Sequence, residues 1–135
     1  MSAARRKLGS DLCSADHGCY ILGFSFLGNR GVNPNVTTFR GDYLTSVTRT
    51  AVGRYLCEVQ VLGLQIICGS VMIESPSGAL FHGCVELINN TGTLNQIVIN
   101  TFNAAGAPLD MDITDRVHAW FQVRRNATTV RRNLI

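Results

Sequence analysis

The chain has little charge, few prolines, a single tryptophan and no helical pattern. Asp, Glu, Lys and Arg make up 16% of its 135 residues, which is low for a free-standing domain. Nowhere do apolar residues keep the i, i+3, i+4, i+7 spacing of an amphipathic helix for three turns. The uncharged stretch from Val59 to Ile73 contains glutamines and glycines and is shorter than the roughly 18–20 residues of a membrane helix. We therefore expect neither a helical bundle nor a membrane span.

Catalytic motifs are missing as well. The sequence has no G-x-S-x-G nucleophile elbow and no phosphate-binding Walker loop. Of the three histidines, His118 follows Val117 and precedes Ala119 in an alternating run, so it should face away from the core, towards solvent or a subunit contact. We expect no enzyme and no cofactor.

The cysteine count of five is odd, so the cysteines cannot all pair within one chain. Cys57, Cys68 and Cys84 lie in apolar runs, which predicts buried thiols in a reducing compartment. Two groups of side chains could ligate a metal or could serve structural roles alone. They are Cys13, His17 and Cys19 near the N-terminus, and Asp110, Asp112 and Asp115 before the last strand.

Short alternating runs separated by turn-forming residues dominate the chain. The predicted strands are Tyr20–Leu27, Phe39–Thr50, Gly53–Leu62, Ile66–Glu74, Leu80–Ile88, Gln96–Phe102 and Arg116–Arg124. Strands at about ten-residue spacing indicate an antiparallel β-sandwich or barrel. Around Gly53, apolar and polar residues alternate from Ser46 to Arg49 and from Tyr55 to Val59, which predicts a hairpin with one buried face.

Three motifs together resemble the β-modules of tailed-bacteriophage fibre and decoration proteins. The first is Gly23-Phe24-Ser25-Phe26 followed by a Gly/Asn/Pro loop, the second is the hairpin with Ser46, Val47, Thr48, Arg49, Gly53, Tyr55 and Val59, and the third is Ile97–Gly106, then Asp110, then Val117–Val123. The resemblance covers about residues 20–124 and departs from the family between Leu62 and Ile73. It implies an all-β, jelly-roll-like sandwich, commonly a homotrimer, in a virion assembled in the host cytoplasm.

Basic residues are concentrated at both ends of the chain. They are Arg5, Arg6 and Lys7 near the start and Arg124, Arg125, Arg131 and Arg132 near the finish. The remainder carries all nine acidic residues. We expect residues 1–19 and 125–135 to be arms flanking a sandwich domain at 20–124, and the arms to bind capsid or tail proteins of the particle. Neither arm interleaves aromatics with its cations, so we do not expect nucleic-acid binding.

A second hypothesis is a receptor- or glycan-binding tip of a tail fibre or spike. Its site would lie in the loops at 28–36, 75–79 and 89–95, where Asn, Ser and Thr could bind the hydroxyls of a host-surface glycan. These loops contain few aromatic residues on which a sugar ring could stack.

Overall fold

Seven antiparallel strands and one 3-10 helix make up the part of the chain that the structure, a computed structural model, describes. That part is residues 19–41, 43–60, 64–91 and 95–125, with the backbone alone at Cys19, Tyr20, Leu64 and Arg125. The strands are β1 (Cys19–Leu27), β2 (Leu44–Ala51), β3 (Arg54–Val59), β4 (Leu64–Glu74), β5 (His82–Asn90), β6 (Asn95–Phe102) and β7 (Arg116–Arg125), and the 3-10 helix spans Val36–Thr38.

The strands form two packed sheets. The three-stranded sheet has the order β1-β7-β4 and the four-stranded sheet the order β2-β3-β6-β5, with every neighbouring pair antiparallel. The chain crosses between the sheets after β1, β3, β4 and β6. The expected all-β antiparallel sandwich is therefore confirmed, with seven described strands where a full jelly roll has eight.

The core lies between the sheets because alternate residues of each strand face inward. Phe24 stacks on Phe121 at 5.5 Å between ring centroids, and Phe26 contacts Tyr55 at 6.1 Å. Aliphatic side chains from the four-stranded sheet, Ile97 among them, fill the remaining space. The predicted hairpin is β2–β3, with Val47, Tyr55, Cys57 and Val59 on its buried face.

Two glycines are required by close contacts. Gly53, in the hairpin turn, has φ +64°, and a Cβ there would lie 2.6 Å from the carbonyl oxygen of Thr101. Gly69 lies under the ring of Phe121, and a Cβ would come within 2.1 Å of it. The aromatic ring occupies the volume that a side chain at Gly69 would need.

The strand predicted from Phe39 to Thr50 is shorter than expected. β2 begins at Leu44, because the preceding segment crosses from one sheet to the other. Arg40 pairs with Ser25 of β1 through two backbone hydrogen bonds of 2.9 and 2.8 Å. This pairing covers part of the free edge of the three-stranded sheet.

The prediction of buried thiols is right for Cys57 and wrong for Cys68 and Cys84, which are exposed. Ile66 faces the core, and regular alternation would place Cys68 there too. A β-bulge between these two residues adds one residue to β4, so Cys68 emerges on the outer face. Cys84 precedes the inward-facing Val85 and therefore lies on the outer face of its sheet.

The sandwich has two distinct ends. At the proximal end, β1 begins and β7 ends. β4 also begins there, and the side-chain amide of Asn90, at the end of β5, donates to and accepts from the backbone of Ile66 at 2.8 Å each. The distal end holds the loops at 28–35, 75–81 and 103–115, together with the β2–β3 turn.

Candidate functional site

Both terminal segments join the sandwich at its proximal end. Cys19, at the start of β1, pairs with Arg124 on the neighbouring β7. Residues 1–18 and 126–135 therefore continue from adjacent strands. Arg124 is exposed, and the backbone of Arg125 pairs with Leu64. The other predicted partner-binding residues lie outside the described part of the chain: Arg5, Arg6, Lys7, Arg131 and Arg132.

The outer face of the three-stranded sheet exposes large apolar side chains. Ile21 of β1, Met72 of β4 and Trp120 of β7 are 56%, 54% and 42% exposed. Each belongs to the outward-facing set of its strand, because the inward positions of β7 are taken by Val117, Ala119 and their alternates. Isolated exposed apolar residues are common, but these three occupy adjacent strands. Ile21 pairs with Gln122 and Met72 with His118, the outward-facing neighbours of Trp120 on β7.

A groove of about 290 Å³ runs beside the Trp120 ring. Small residues on β4 leave space beside the ring, since Ser70 pairs with Trp120 and Gly69 precedes it. The groove is lined by Ile21, Cys68, Gly69, Ser70, Trp120, Phe121 and Gln122. A large side chain beside an open groove gives this surface a relief that a shape-complementary partner can fit.

Polar groups border this face. His118 Nε2 lies 2.8 Å from Glu74 Oε1, and His118 is on the outer face, as its alternation predicted. Arg116 donates to Ser25 Oγ at 3.0 Å. The apolar centre and polar rim follow the usual composition of a protein interface.

Hydrogen-bonded polar side chains occupy part of the outer face of the four-stranded sheet. Asn100 donates to Glu86 at 2.8 Å, and Gln96 donates to Glu58 at 3.2 Å. Asn89 also hydrogen-bonds to Gln96. These hydrogen bonds connect β3, β5 and β6 on that face.

Asp110 holds the distal loops together. Its carboxylate accepts two hydrogen bonds from Arg49 at 2.9 Å and one from the Gly53 N–H at 2.8 Å. The hydrogen bond from Arg49 is the largest cause of the lowered pKa of Asp110. The Tyr55 hydroxyl lies 3.4 Å from the same carboxylate and accepts from the backbone N–H of Met111 at 2.9 Å.

The other two aspartates are also acceptors within the distal loops. Asp112 pairs with Arg30 at 2.8 Å. Asp115 is fully buried and accepts from Ser75 and Ser77 at 2.8 and 2.9 Å. Across residues 19–41, 43–60, 64–91 and 95–125, no three His, Cys, Asp or Glu side chains are grouped as metal ligands. Cys13 and His17 and the side chain of Cys19 lie outside the described part.

The three loops of the glycan-tip hypothesis do not meet. Loops 28–36 and 75–79 lie at the distal end, where Gly28 donates to the Asp115 carbonyl and Ser75 to its carboxylate. Asn90 pairs with Asn95 at the proximal end. The structure therefore brings two of the three loops together and places the third at the opposite end.

Among the described residues, no helix is long and apolar enough to cross a membrane. A scan against protein-family models, a search of curated proteins and a search of solved structures find no match to this chain.

Proposed function

We propose that this chain is a structural protein of a bacteriophage virion, a capsid decoration or cement protein or a short fibre module. Copies associate as a homotrimer through the outer face of the three-stranded sheet and attach to the particle through the basic terminal segments. The observation that carries the proposal is that both segments join adjacent strands at one end of the sandwich, and that the segments hold five of the chain's twelve cations while Arg124 and Arg125 at the end of β7 add two more. The role requires no catalytic step.

The attachment follows from the charge distribution. No acid lies within either basic cluster, although Asp11 and Asp16 follow the N-terminal cluster in its segment. The clustered cations suit an acidic surface on capsid or tail proteins. Arginine binds carboxylates in a bidentate geometry, which orients as well as attracts. Two segments leaving from one end would engage the particle together, and linked binding raises the apparent affinity above that of either segment.

The partner on the apolar face is a second copy of the chain. Apolar residues make up 46% of a sequence with only 16% charge, and hydrogen-bonded polar side chains link the strands of the other sheet on its outer face. β1 and β7, two of the strands that form this face, also lead into the basic terminal segments. Association there would bury Trp120, and tryptophan is enriched among the residues that dominate interface energies.

Light scattering and fluorescence test the association. Trp120 is the sole tryptophan, so its emission should shift to shorter wavelength as protein concentration rises. Ile21→Asp should give a monomer with red-shifted emission. The matched control is Val32→Asp, since Val32 is equally exposed, 57% against 56%, but lies in a distal loop. A wild-type monomer, or equal behaviour of both variants, would contradict the proposed association.

Particle binding tests the attachment. Purified protein should bind particles prepared without it, and reversing the charge of Arg5, Arg6 and Lys7 to Glu should abolish binding while circular dichroism stays unchanged. Arg30→Glu is the control because Arg30 is exposed at the distal end. Equal binding by the triple variant and the wild type would refute a role for the N-terminal cluster.

A further inference from the structure

Three aromatic rings cluster at the distal end of the four-stranded sheet. Phe81, just before β5, is 70% exposed. His82 is stacked on Phe102, with ring centroids 4.9 Å apart and an interplanar angle of 19°, and Phe81 meets His82 edge-on at 5.9 Å. The Phe81 N–H also donates to the Phe102 carbonyl at 2.9 Å. This hydrogen bond holds the backbone of Phe81 against the end of β6.

Three polar side chains, those of Arg54, Glu86 and Asn100, lie next to the rings on the same outer face. Glu86 accepts from Asn100 at 2.8 Å and lies 3.5 Å from Arg54. The side chains of Arg54 and Glu86 are 36% and 51% exposed. These residues present amide, carboxylate and guanidinium groups to solvent in one place.

The strand register sets the distance between the two groups. His82 pairs with Phe102, and two residues further along β6 Asn100 pairs with Cys84 and with Arg54. Two residues along a strand span about 7 Å. Asn100 therefore lies one outward-facing position along β6 from Phe102.

We propose that this surface, formed by Phe81, His82, Phe102, Asn100, Glu86 and Arg54, is a binding site for a neutral glycan. The C–H face of a sugar ring is apolar and stacks on aromatic side chains, as apolar surfaces generally do. Each sugar hydroxyl both donates and accepts hydrogen bonds. Glu86 supplies acceptors, Arg54 supplies donors and Asn100 supplies both. A few polar groups beside apolar and aromatic surface is the composition of ligand sites in general.

The charge of the site favours a neutral ligand. Arg54 and Glu86 face each other with opposite formal charges, so the site has no net charge to attract a sialic acid carboxylate, a sulfate or a nucleic-acid phosphate. The cluster lies at the distal end, opposite the end that the basic segments join. A module attached through those segments would present it outward. The sugar site itself does not depend on attachment and can be tested on the purified full-length chain.

A glycan array carrying neutral, sialylated and sulfated oligosaccharides tests the proposal. We expect labelled wild-type protein to bind neutral hexose-containing glycans in preference to the acidic ones. Phe81→Ser and Glu86→Ala should each weaken that binding by about tenfold or more, since the first removes an aromatic ring and the second removes the carboxylate acceptors. Phe81 is exposed, so its replacement should leave the circular dichroism spectrum unchanged.

Trp120→Ser is the matched control, because it removes an exposed aromatic residue from the other sheet. It should abolish self-association in light scattering, and saturation-transfer NMR with the methyl glycoside of the preferred sugar should still detect binding. Phe81→Ser should leave self-association unchanged and weaken the binding of the sugar. Failure to bind any neutral glycan, a preference for acidic glycans, or unchanged binding by Phe81→Ser would overturn the sugar site. A wild-type monomer that still binds sugar would contradict the trimer alone.

Discussion

Removing the hydroxyl of Tyr55 should destabilise the sandwich out of proportion to the size of the change. Tyr55 is 1% exposed, and burial raises the pKa of its phenol to about 12, so the hydroxyl stays protonated at ordinary pH. It accepts the backbone N–H of Met111 at 2.9 Å. Met111 is itself fully buried, so no water can replace that acceptor without opening the loop.

In Tyr55→Phe the ring keeps its contact with Phe26 while the Met111 N–H loses its partner. An unsatisfied buried donor costs about 1–3 kcal/mol, which for a domain of this size lowers Tm by about 4–12 °C. The hydroxyl's other contact, to Asp110, is long at 3.4 Å and should contribute little. The loss should therefore come mainly from one backbone group.

Calorimetry or thermal circular dichroism measures the change, with Tyr43→Phe as the control. Tyr43 is 40% exposed, so the same loss of one oxygen there should leave Tm within about 1–2 °C. If Tyr55→Phe were as stable as the control, the hydrogen bond from the Met111 N–H to the Tyr55 hydroxyl would not anchor the loop before the last strand.

Further predictions concern packing, acid and thiol chemistry. Gly69→Ala should cost about 1–3 kcal/mol in denaturant unfolding because its Cβ would overlap the Phe121 ring, whereas Gly23→Ala meets nothing nearer than 3.5 Å and should be nearly neutral. The pKa of Asp110 is lowered in the folded protein, so its contribution to stability is present above the unfolded pKa of about 4 and is lost as pH falls through the lower folded value. The Tm difference between wild type and Asp110→Asn should therefore shrink on acidification, and a constant difference would contradict this. Burial raises the pKa of the Cys57 thiol, so mass spectrometry after mild alkylation of native protein should find it unmodified while the exposed cysteines are labelled.

Strand positions could be predicted from the sequence because alternation reports directly which face of a strand is buried. The run around Phe24 and Phe26, the hairpin at Gly53 and the strand containing Trp120 were all identifiable in this way. The same alternation shows that Trp120 faces away from Ala119 and Phe121, and so gives a signal for its exposure. The bulge after Ile66 is not visible in that pattern, and it reverses the face on which Cys68 lies.

The candidate surfaces could not be predicted because they combine residues that are distant in sequence. Ile21, Met72 and Trp120 meet only through the β1-β7-β4 order, and no local pattern specifies that order. The aromatic cluster likewise needs β5 to pair with β6 in a register that puts His82 beside Phe102. The aspartates before the last strand could be recognised as acceptors, but their donors come from segments distant in sequence.

The Asn90 amide and the Arg40–Ser25 pairing have a consequence for how copies of this chain can assemble. Each occupies backbone groups on a free edge of the three-stranded sheet, Ile66 on β4 and Ser25 on β1. An added strand from another chain would have to displace them, so open-ended growth by edge pairing is opposed on both sides. Copies that associate through the outer face of the three-stranded sheet are therefore hindered from also extending that sheet strand by strand.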